Sequence, residues 1–257
     1  MNILITAGGT SERIDNVRSI TNHSTGRLGK AIGECFLAQG HHVTYVTTPQ
    51  AVRPVNQANL SIIEIETTKE LASTLLNQFE QQSFDGIIHG MAVSDFTTET
   101  TLSEDIFIEK LAAKLTNDNT LNDLTSLTEA LYHSLDEIGQ TVQQAKKIPS
   151  GTDRLLLFLK KNPKIIAMLR DHQPQAVLVG FKLLVGVSFE ELVHVGSALL
   201  TKNNCDFILA NDLEQIHDKQ HVGILIDATG QTTTAQTKSE IAQLIVNKVE
   251  EKWRSQS

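Results

Sequence analysis

Ile3-Leu4-Ile5-Thr6-Ala7-Gly8-Gly9-Thr10, followed by Asn16-Val17-Arg18-Ser19-Ile20-Thr21-Asn22-His23-Ser24-Thr25-Gly26-Arg27-Leu28-Gly29-Lys30, is the stretch that decides the fold. An apolar run ends in two glycines, a polar loop follows, and a helical run begins near Gly26. Read as strand, turn and helix, this is the opening unit of a parallel sheet. The glycines let backbone approach a ligand closely, and Ser24 and Gly26 fall where a helix N-terminus offers unpaired N–H groups to an anion. That geometry suits a nucleotide phosphate. An ordinary strand, turn and helix with no ligand uses the same glycines.

Working outward, strand-like runs alternate with helical ones, which predicts an α/β fold built on a doubly wound, mainly parallel, Rossmann-like sheet. Strands are expected near 2–6, 42–47, 60–66, 85–90, 176–181 and 206–210. Gly26 to Gln39 reads as a helix burying Ala31, Ile32, Cys35 and Phe36, and Thr68 to Gln81 as another burying Leu71, Leu75 and Phe79. Asn162-Pro163 should cap and start a further helix, and Ser188 with Glu191 makes a capping box for the helix to Asn203. Val222 to Asp227 and Thr232 to Thr237 read as a C-terminal hairpin turning at Thr229-Gly230, before a closing amphipathic helix from Ser239 to about Trp253.

Residues 101–150 break the alternation, with two polar helical stretches and no clear strand. The expected organisation is a single nucleotide-binding α/β domain over 1–257, with 101–150 as a helical insertion. At its exit Lys146-Lys147-Ile148-Pro149-Ser150-Gly151 sets two cations beside a proline and a glycine, which suits a mobile lid over an anion; a solvated appendage is the plainer reading.

The 257 residues carry 22 Lys and Arg against 30 Asp and Glu, a net charge of −8. That balance argues against nucleic-acid or anionic-membrane partners, which select basic surfaces. Any phosphate must be met by local cations, backbone N–H groups or a metal. Cys35 and Cys205 lie in apolar runs and suggest neither a disulfide framework nor a metal cluster. The nine histidines form no H-E-x-x-H motif of the zinc-site kind, so no metal-ligating residue is predicted. No apolar run approaches ~18 residues and the chain opens on a strand without a charged leader, which together predict a cytoplasmic protein.

In an open α/β sheet, ligands bind beyond the carboxyl ends of the strands. The suspicious polar positions gather there: Gly8 and Gly9 after the first strand, Met91 to Asp95 after the fourth, Phe181 and Lys182 at the fifth, Asn211 and Asp212 at the sixth. Asp212 alone reads as a helix or turn cap.

The glycine turn with Val17 to Gly29 resembles the signature of the phosphopantothenoylcysteine synthetases, ligases of coenzyme A biosynthesis. The resemblance continues in Met91-Ala92-Val93-Ser94-Asp95-Phe96, in Lys160-Lys161-Asn162-Pro163 leading to Val179-Gly180-Phe181-Lys182, and in Asp206-Phe207-Ile208-Leu209-Ala210-Asn211-Asp212. It implies that 4′-phosphopantothenate is joined to cysteine through an acyl-cytidylate made from CTP, with magnesium offsetting the triphosphate charge. Carried over by residue, Gly8, Gly9, Ser24, Gly26 and Gly29 would meet the triphosphate, and Phe181, Lys182 and Asn211 the base and sugar. Asn22, Ala92 and Asp95 would line the pantothenate pocket, with Asn22 and Lys147 catalytic. In the family's homodimeric form Arg18 would bind the substrate phosphate of a neighbouring subunit.

Plainer roles stay open beside these: Phe181 as core, Asp95 as a helix cap, Arg18 as a surface ion pair. Phe181-Lys182-Leu183 is similar to the F-K-L of eukaryotic relatives that can use ATP, so the nucleotide is open between CTP and ATP. No flavin-binding partner domain precedes Met1, so a stand-alone bacterial form is expected. Two other classes compete. A nicotinamide-dependent oxidoreductase would share the strand and glycine turn, although Ala7-Gly8-Gly9-Thr10 is not G-x-G-x-x-G. A non-catalytic nucleotide-binding regulator is the third, since no general base is identifiable.

Overall fold

The computed structural model describes residues 1–116, 123–141, 153–217 and 220–256. In chain order its elements begin β1 (Asn2–Ala7), β2 (Ser11–Arg13), β3 (Ser19–Thr21), α1 (Arg27–Ala38), β4 (His42–Thr47), β5 (Leu60–Glu64), α2 (Thr68–Gln81) and β6 (Gly86–His89). They continue β7 (Phe96–Ser103), α3 (Glu104–Thr116), α4 (Leu124–Thr141), β8 (Leu155–Lys161), α5 (Ile165–His172) and β9 (Val177–Leu184). The last are α6 (Phe189–Lys202), β10 (Phe207–Asp212), β11 (Gly223–Asp227), β12 (Thr232–Ala235) and α7 (Lys238–Gln256).

These elements form two compact units, one of Met1–Thr10, Asn22–Val93 and Lys164–Ser257, the other of Ser11–Thr21 and Ser94–Pro163. The first holds an eight-stranded sheet in the order β12-β11-β10-β9-β6-β1-β4-β5. From β5 to β10 every pair is parallel; β11 and β12 add an antiparallel edge, which is the expected hairpin. A parallel sheet is covered on both faces, so its strands are apolar on both sides. Ile3, Ile5, Val43, Val177, Val179 and Leu209 face a core completed by Ile32 and Phe36 of α1 and Ile241, Ile245 and Val249 of α7. Leu4, Val46, Ile87, Leu178 and Ile208 face Leu71 and Leu75 of α2, Leu169 of α5 and Leu200 of α6. Each such fully buried side chain contributes about 1.5–3 kcal/mol of burial free energy, so these two layers hold the sheet together.

Helix boundaries follow local chemistry. Thr67 caps α2, its Oγ1 accepting from Glu70 N at 3.1 Å while Glu70 Oε2 accepts from Thr67 N at 3.4 Å. At α6, Ser188 Oγ accepts from Glu191 N at 3.2 Å. The helix expected to start at Asn162-Pro163 begins later, at Ile165 after an N-cap Lys164. Asn162 instead donates from Nδ2 to Ser94 O at 3.0 Å and from N to Asp95 O at 2.9 Å.

The second unit is larger than the insertion expected at 101–150. Its helices α3 and α4 are flanked by an antiparallel pair, β7 and β8, registered from Phe96 opposite Lys161 to Ser103 opposite Leu155. Neither strand was expected, because the buried positions of β7 include Thr98, Thr100 and Thr101, which give no hydrophobic alternation. The helices pack on this pair through Phe107 against Phe158, rings 5.7 Å apart, and through buried Leu102 and Ile138. A short hairpin of β2 and β3 belongs to the same unit, with Ser11 Oγ and Thr21 Oγ1 2.7 Å apart.

Candidate nucleotide and substrate site

The chain leaves β1 for β4 on one side and returns to β6 on the other, so the sheet reverses its winding between β1 and β6. That is the switch point at which open α/β sheets bind ligands. Three segments are knitted together there. Gly90 N donates to Thr6 O at 3.0 Å, Ala92 N to Gly8 O at 2.9 Å, and Thr10 N to Ala92 O at 3.1 Å. Asn22 joins them, its N donating to Thr10 O at 3.2 Å and its Nδ2 to Ala92 O at 3.4 Å. The structure thus brings Gly8, Gly9, Asn22 and Ala92 into one constellation.

The glycines are there for want of space. Gly8 has φ +94°, and a Cβ on it would lie 2.7 Å from Thr48 Oγ1 and 2.9 Å from Ala51 Cβ. Gly26 is the left-handed N-cap of α1, with φ 74° and no side chain to cap the helix; Arg27 N reaches Thr25 Oγ1 only at 3.5 Å. Gly29, one turn on, packs on Ala7 and lies beside Tyr45. Ser24 is exposed just before this helix end. A helix N-terminus with open N–H groups and no acidic residue in its first turn favours an anion.

Lys182 and Asn211 lie past the strand ends expected at 181 and 210. Strand β9 runs on to Leu184 and β10 to Asp212, so these two and Phe181 lie within strands, Phe181 opposite Leu209, Lys182 opposite Ala210 and Asn211 opposite Leu183. Phe181 packs against the core, its Cζ 3.5 Å from the position a Cβ on Gly90 would take. Asn211 is buried and donates from Nδ2 to Val222 O at 2.6 Å, tying β10 to the chain entering β11. The Asp212 carboxylate accepts from Gly186 N at 2.9 Å, Glu214 N at 3.1 Å and Val187 N at 3.3 Å; the Gly186 bond foremost holds it below the usual carboxylate range. It is the turn cap that its sequence position suggested.

The remaining candidates belong to the second unit or fall outside the description. Arg18 pairs with Asp15, its Nη2 2.7 Å and its Nε 3.2 Å from Oδ2, and Asp15 Oδ1 accepts from Val17 N and Arg18 N. Asp95 accepts through its backbone oxygen from Asn162. Lys147 lies outside the described residues.

Sequence reasoning missed His89. It ends β6 at the switch point, buried, with Nδ1 2.7 Å from Thr6 Oγ1 on the adjacent strand. Desolvation lowers its pKa to about 4, so the ring is neutral near pH 7. The available signal was its place as the one polar side chain of Gly86-Ile87-Ile88-His89, immediately before the Gly90-Met91-Ala92 turn. Among the described residues no group of three or more His, Cys, Asp and Glu could hold a metal ion, and no helix is long and apolar enough to cross a membrane.

Sheet order and switch point define a doubly wound, Rossmann-like α/β protein. Comparison with known proteins is more specific. The profile of the DNA/pantothenate metabolism flavoprotein C-terminal domain matches residues 1–130 and 139–252, and the chain belongs to that family. The crystal structure of the DNA/pantothenate metabolism flavoprotein from Streptococcus pneumoniae is similar, with 41% identity and a TM-score of 0.79, over 98% of this chain and 99% of that one. The coenzyme A biosynthesis bifunctional protein CoaBC of Methanocaldococcus jannaschii is 28% identical over 98% of this chain and 51% of its own length. Its counterpart in Thermococcus kodakarensis is 27% identical over 96% and 50%. The chain therefore spans about half the length of these curated relatives. Cab2 H337A, solved in complex with phosphopantothenate-cysteine, shares the fold at 17% identity and a TM-score of 0.68, over 99% of this chain and 87% of that one.

Proposed function

We propose that this chain is a cytoplasmic phosphopantothenate–cysteine ligase of coenzyme A biosynthesis, joining 4′-phosphopantothenate to cysteine through an acyl-nucleotidylate made from CTP. The observation that carries this reading is the junction of Asn22, Ala92 and the Gly8-Gly9 turn beside the uncapped N-terminus of α1, in a chain of this family.

A free carboxylate is a poor electrophile at neutral pH, and a mixed anhydride is a good one. The carboxylate oxygen of 4′-phosphopantothenate attacks the α-phosphorus, the bond to the β-phosphate breaks, and pyrophosphate leaves. The amine of cysteine then attacks the acyl carbon, the bond to CMP breaks, and the amine proton passes to solvent. Magnesium enters with the triphosphate as part of the co-substrate. Gly8, Gly9, Ser24, Gly26 and Gly29 receive the phosphates at the end of α1, while Phe181, Lys182 and Asn211 flank the base and sugar. Ala92 lines the pantothenate pocket with Asn22, whose carboxamide has two donor hydrogens, of which the bond to Ala92 O occupies one. Lys147 adds a cation to the phosphates. In a homodimer with shared sites, Arg18 serves the phosphate of the neighbouring subunit's substrate.

A coupled pyrophosphate assay tests this. Release that requires a nucleotide and 4′-phosphopantothenate together is the expected result, with CTP above ATP. Nucleotide binding without release would leave a regulator, and NAD binding in its place an oxidoreductase.

A further inference from the structure

Two hydroxyl groups on one face of β4 have no partner among the described residues. Tyr45 and Thr47 are wholly buried, and among the described residues neither Tyr45 Oη nor Thr47 Oγ1 meets a hydrogen-bonding atom. Residues two apart on a strand share a face, and this face is turned toward α1. Tyr45 Oη lies 3.2 Å from the position of a Cβ on Gly29, in the first turn of α1, and Thr47 Oγ1 lies 3.6 Å from that of a Cβ on Gly8. The same corner holds the uncapped end of α1.

An unpaired buried hydroxyl is destabilising, because the hydrogen bond it made to water is lost and not replaced. Phe and Val would fill the same two volumes without that cost, so packing alone does not account for the pair. Burial, with the charge of Glu34 acting in the same direction, raises the Tyr45 pKa, so the phenol keeps its proton and remains a donor. Donors gathered under a helix N-terminus suit a phosphate.

We propose that Thr47 and Tyr45 are further residues of the nucleotide site, Thr47 donating to a phosphate of the bound triphosphate at the end of α1 and Tyr45 donating from below it, directly or through one ordered water. This rests on the ligase reading above. The phosphate of 4′-phosphopantothenate has the same chemistry, so the test must separate the two sources.

Thermal unfolding of the full chain and of Thr47→Val, Tyr45→Phe and the double variant would be followed without ligand, with CTP, with ATP, and with 4′-phosphopantothenate. Without ligand the variants should melt at or above the wild-type temperature, because an orphaned hydroxyl has been removed. The rise in Tm given by nucleotide should fall by at least half in Thr47→Val and further in the double variant, while the rise given by 4′-phosphopantothenate is unchanged. A full nucleotide-induced rise in the double variant, a lowered ligand-free Tm, or loss of the 4′-phosphopantothenate response instead would each overturn the proposal while leaving the ligase reading intact. A wild-type chain stabilised by neither nucleotide would overturn both.

Discussion

The carbonyl oxygen of Asn22 stands over the α-carbon of Gly9, on the side where any other residue would carry its Cβ. With Asn22 N bonded to Thr10 O, this contact fixes the Asn22 backbone against the turn after β1. The residue that the proposed chemistry depends on is therefore positioned by the absence of a side chain next door.

Gly9→Ala follows directly. A methyl group there is driven into a backbone oxygen, not into a flexible side-chain end, so the Asn22 segment must shift. Overpacking of this kind costs about 1–3 kcal/mol. Turnover should drop by more than stability, because a small displacement of a positioned group is expensive in rate. Urea unfolding and steady-state turnover measure the two effects, and wild-type turnover in Gly9→Ala would remove Asn22 positioning from the account.

The buried His89 predicts a pH dependence of stability. Its pKa of about 4 in the folded chain lies below the ordinary value of 6.5. Between those values the unfolded chain binds a proton that the folded chain refuses, so the stabilisation is full above about pH 6.5 and is lost as pH falls toward 4. At 1.36 kcal/mol per pKa unit the whole window is worth about 3 kcal/mol. His221 is shifted to about 4 as well, chiefly by desolvation and in part by Lys238, and adds in the same direction. Urea midpoints at pH 7 and pH 4.5 should therefore differ less in His89→Gln than in the wild type; an equal difference would mean that His89 titrates normally.

Much of this was legible in the sequence. The runs near 2–6 and 176–181 were expected as strands of a mainly parallel sheet, and both lie in its parallel part. Asn22 and Ala92 were named together from a family signature, and the structure joins them by a hydrogen bond. What was not legible depended on polar burial. Thr98, Thr100 and Thr101 are buried in β7 without an apolar pattern, and His89, Tyr45 and Thr47 are polar groups whose burial only the packed sheet reveals. Strands β9 and β10 run past the ends expected at 181 and 210, because strand pairing carries Lys182 and Asn211.

Asn22 should serve the second half-reaction more than the first. Its spare N–H can donate to the acyl oxygen as cysteine attacks and charge builds there, and losing such a donor costs about 2.7–4 kcal/mol, or roughly 10²–10³ in rate. Asn22→Asp keeps the shape but brings a negative acceptor, so cysteine addition should slow while a single-turnover pyrophosphate burst persists. Loss of the burst with nucleotide binding unchanged would move Asn22 to the activation step.

The central claim is that one chain both activates 4′-phosphopantothenate and transfers it to cysteine, and rapid-quench mass spectrometry tests it most directly. The wild-type chain, mixed with CTP, magnesium and 4′-phosphopantothenate, should accumulate an acyl-cytidylate that disappears on addition of cysteine as 4′-phosphopantothenoylcysteine and CMP appear in equal amounts. If neither CTP nor ATP yields the anhydride or the cysteine adduct, while the folded protein still binds nucleotide, the ligase account is contradicted.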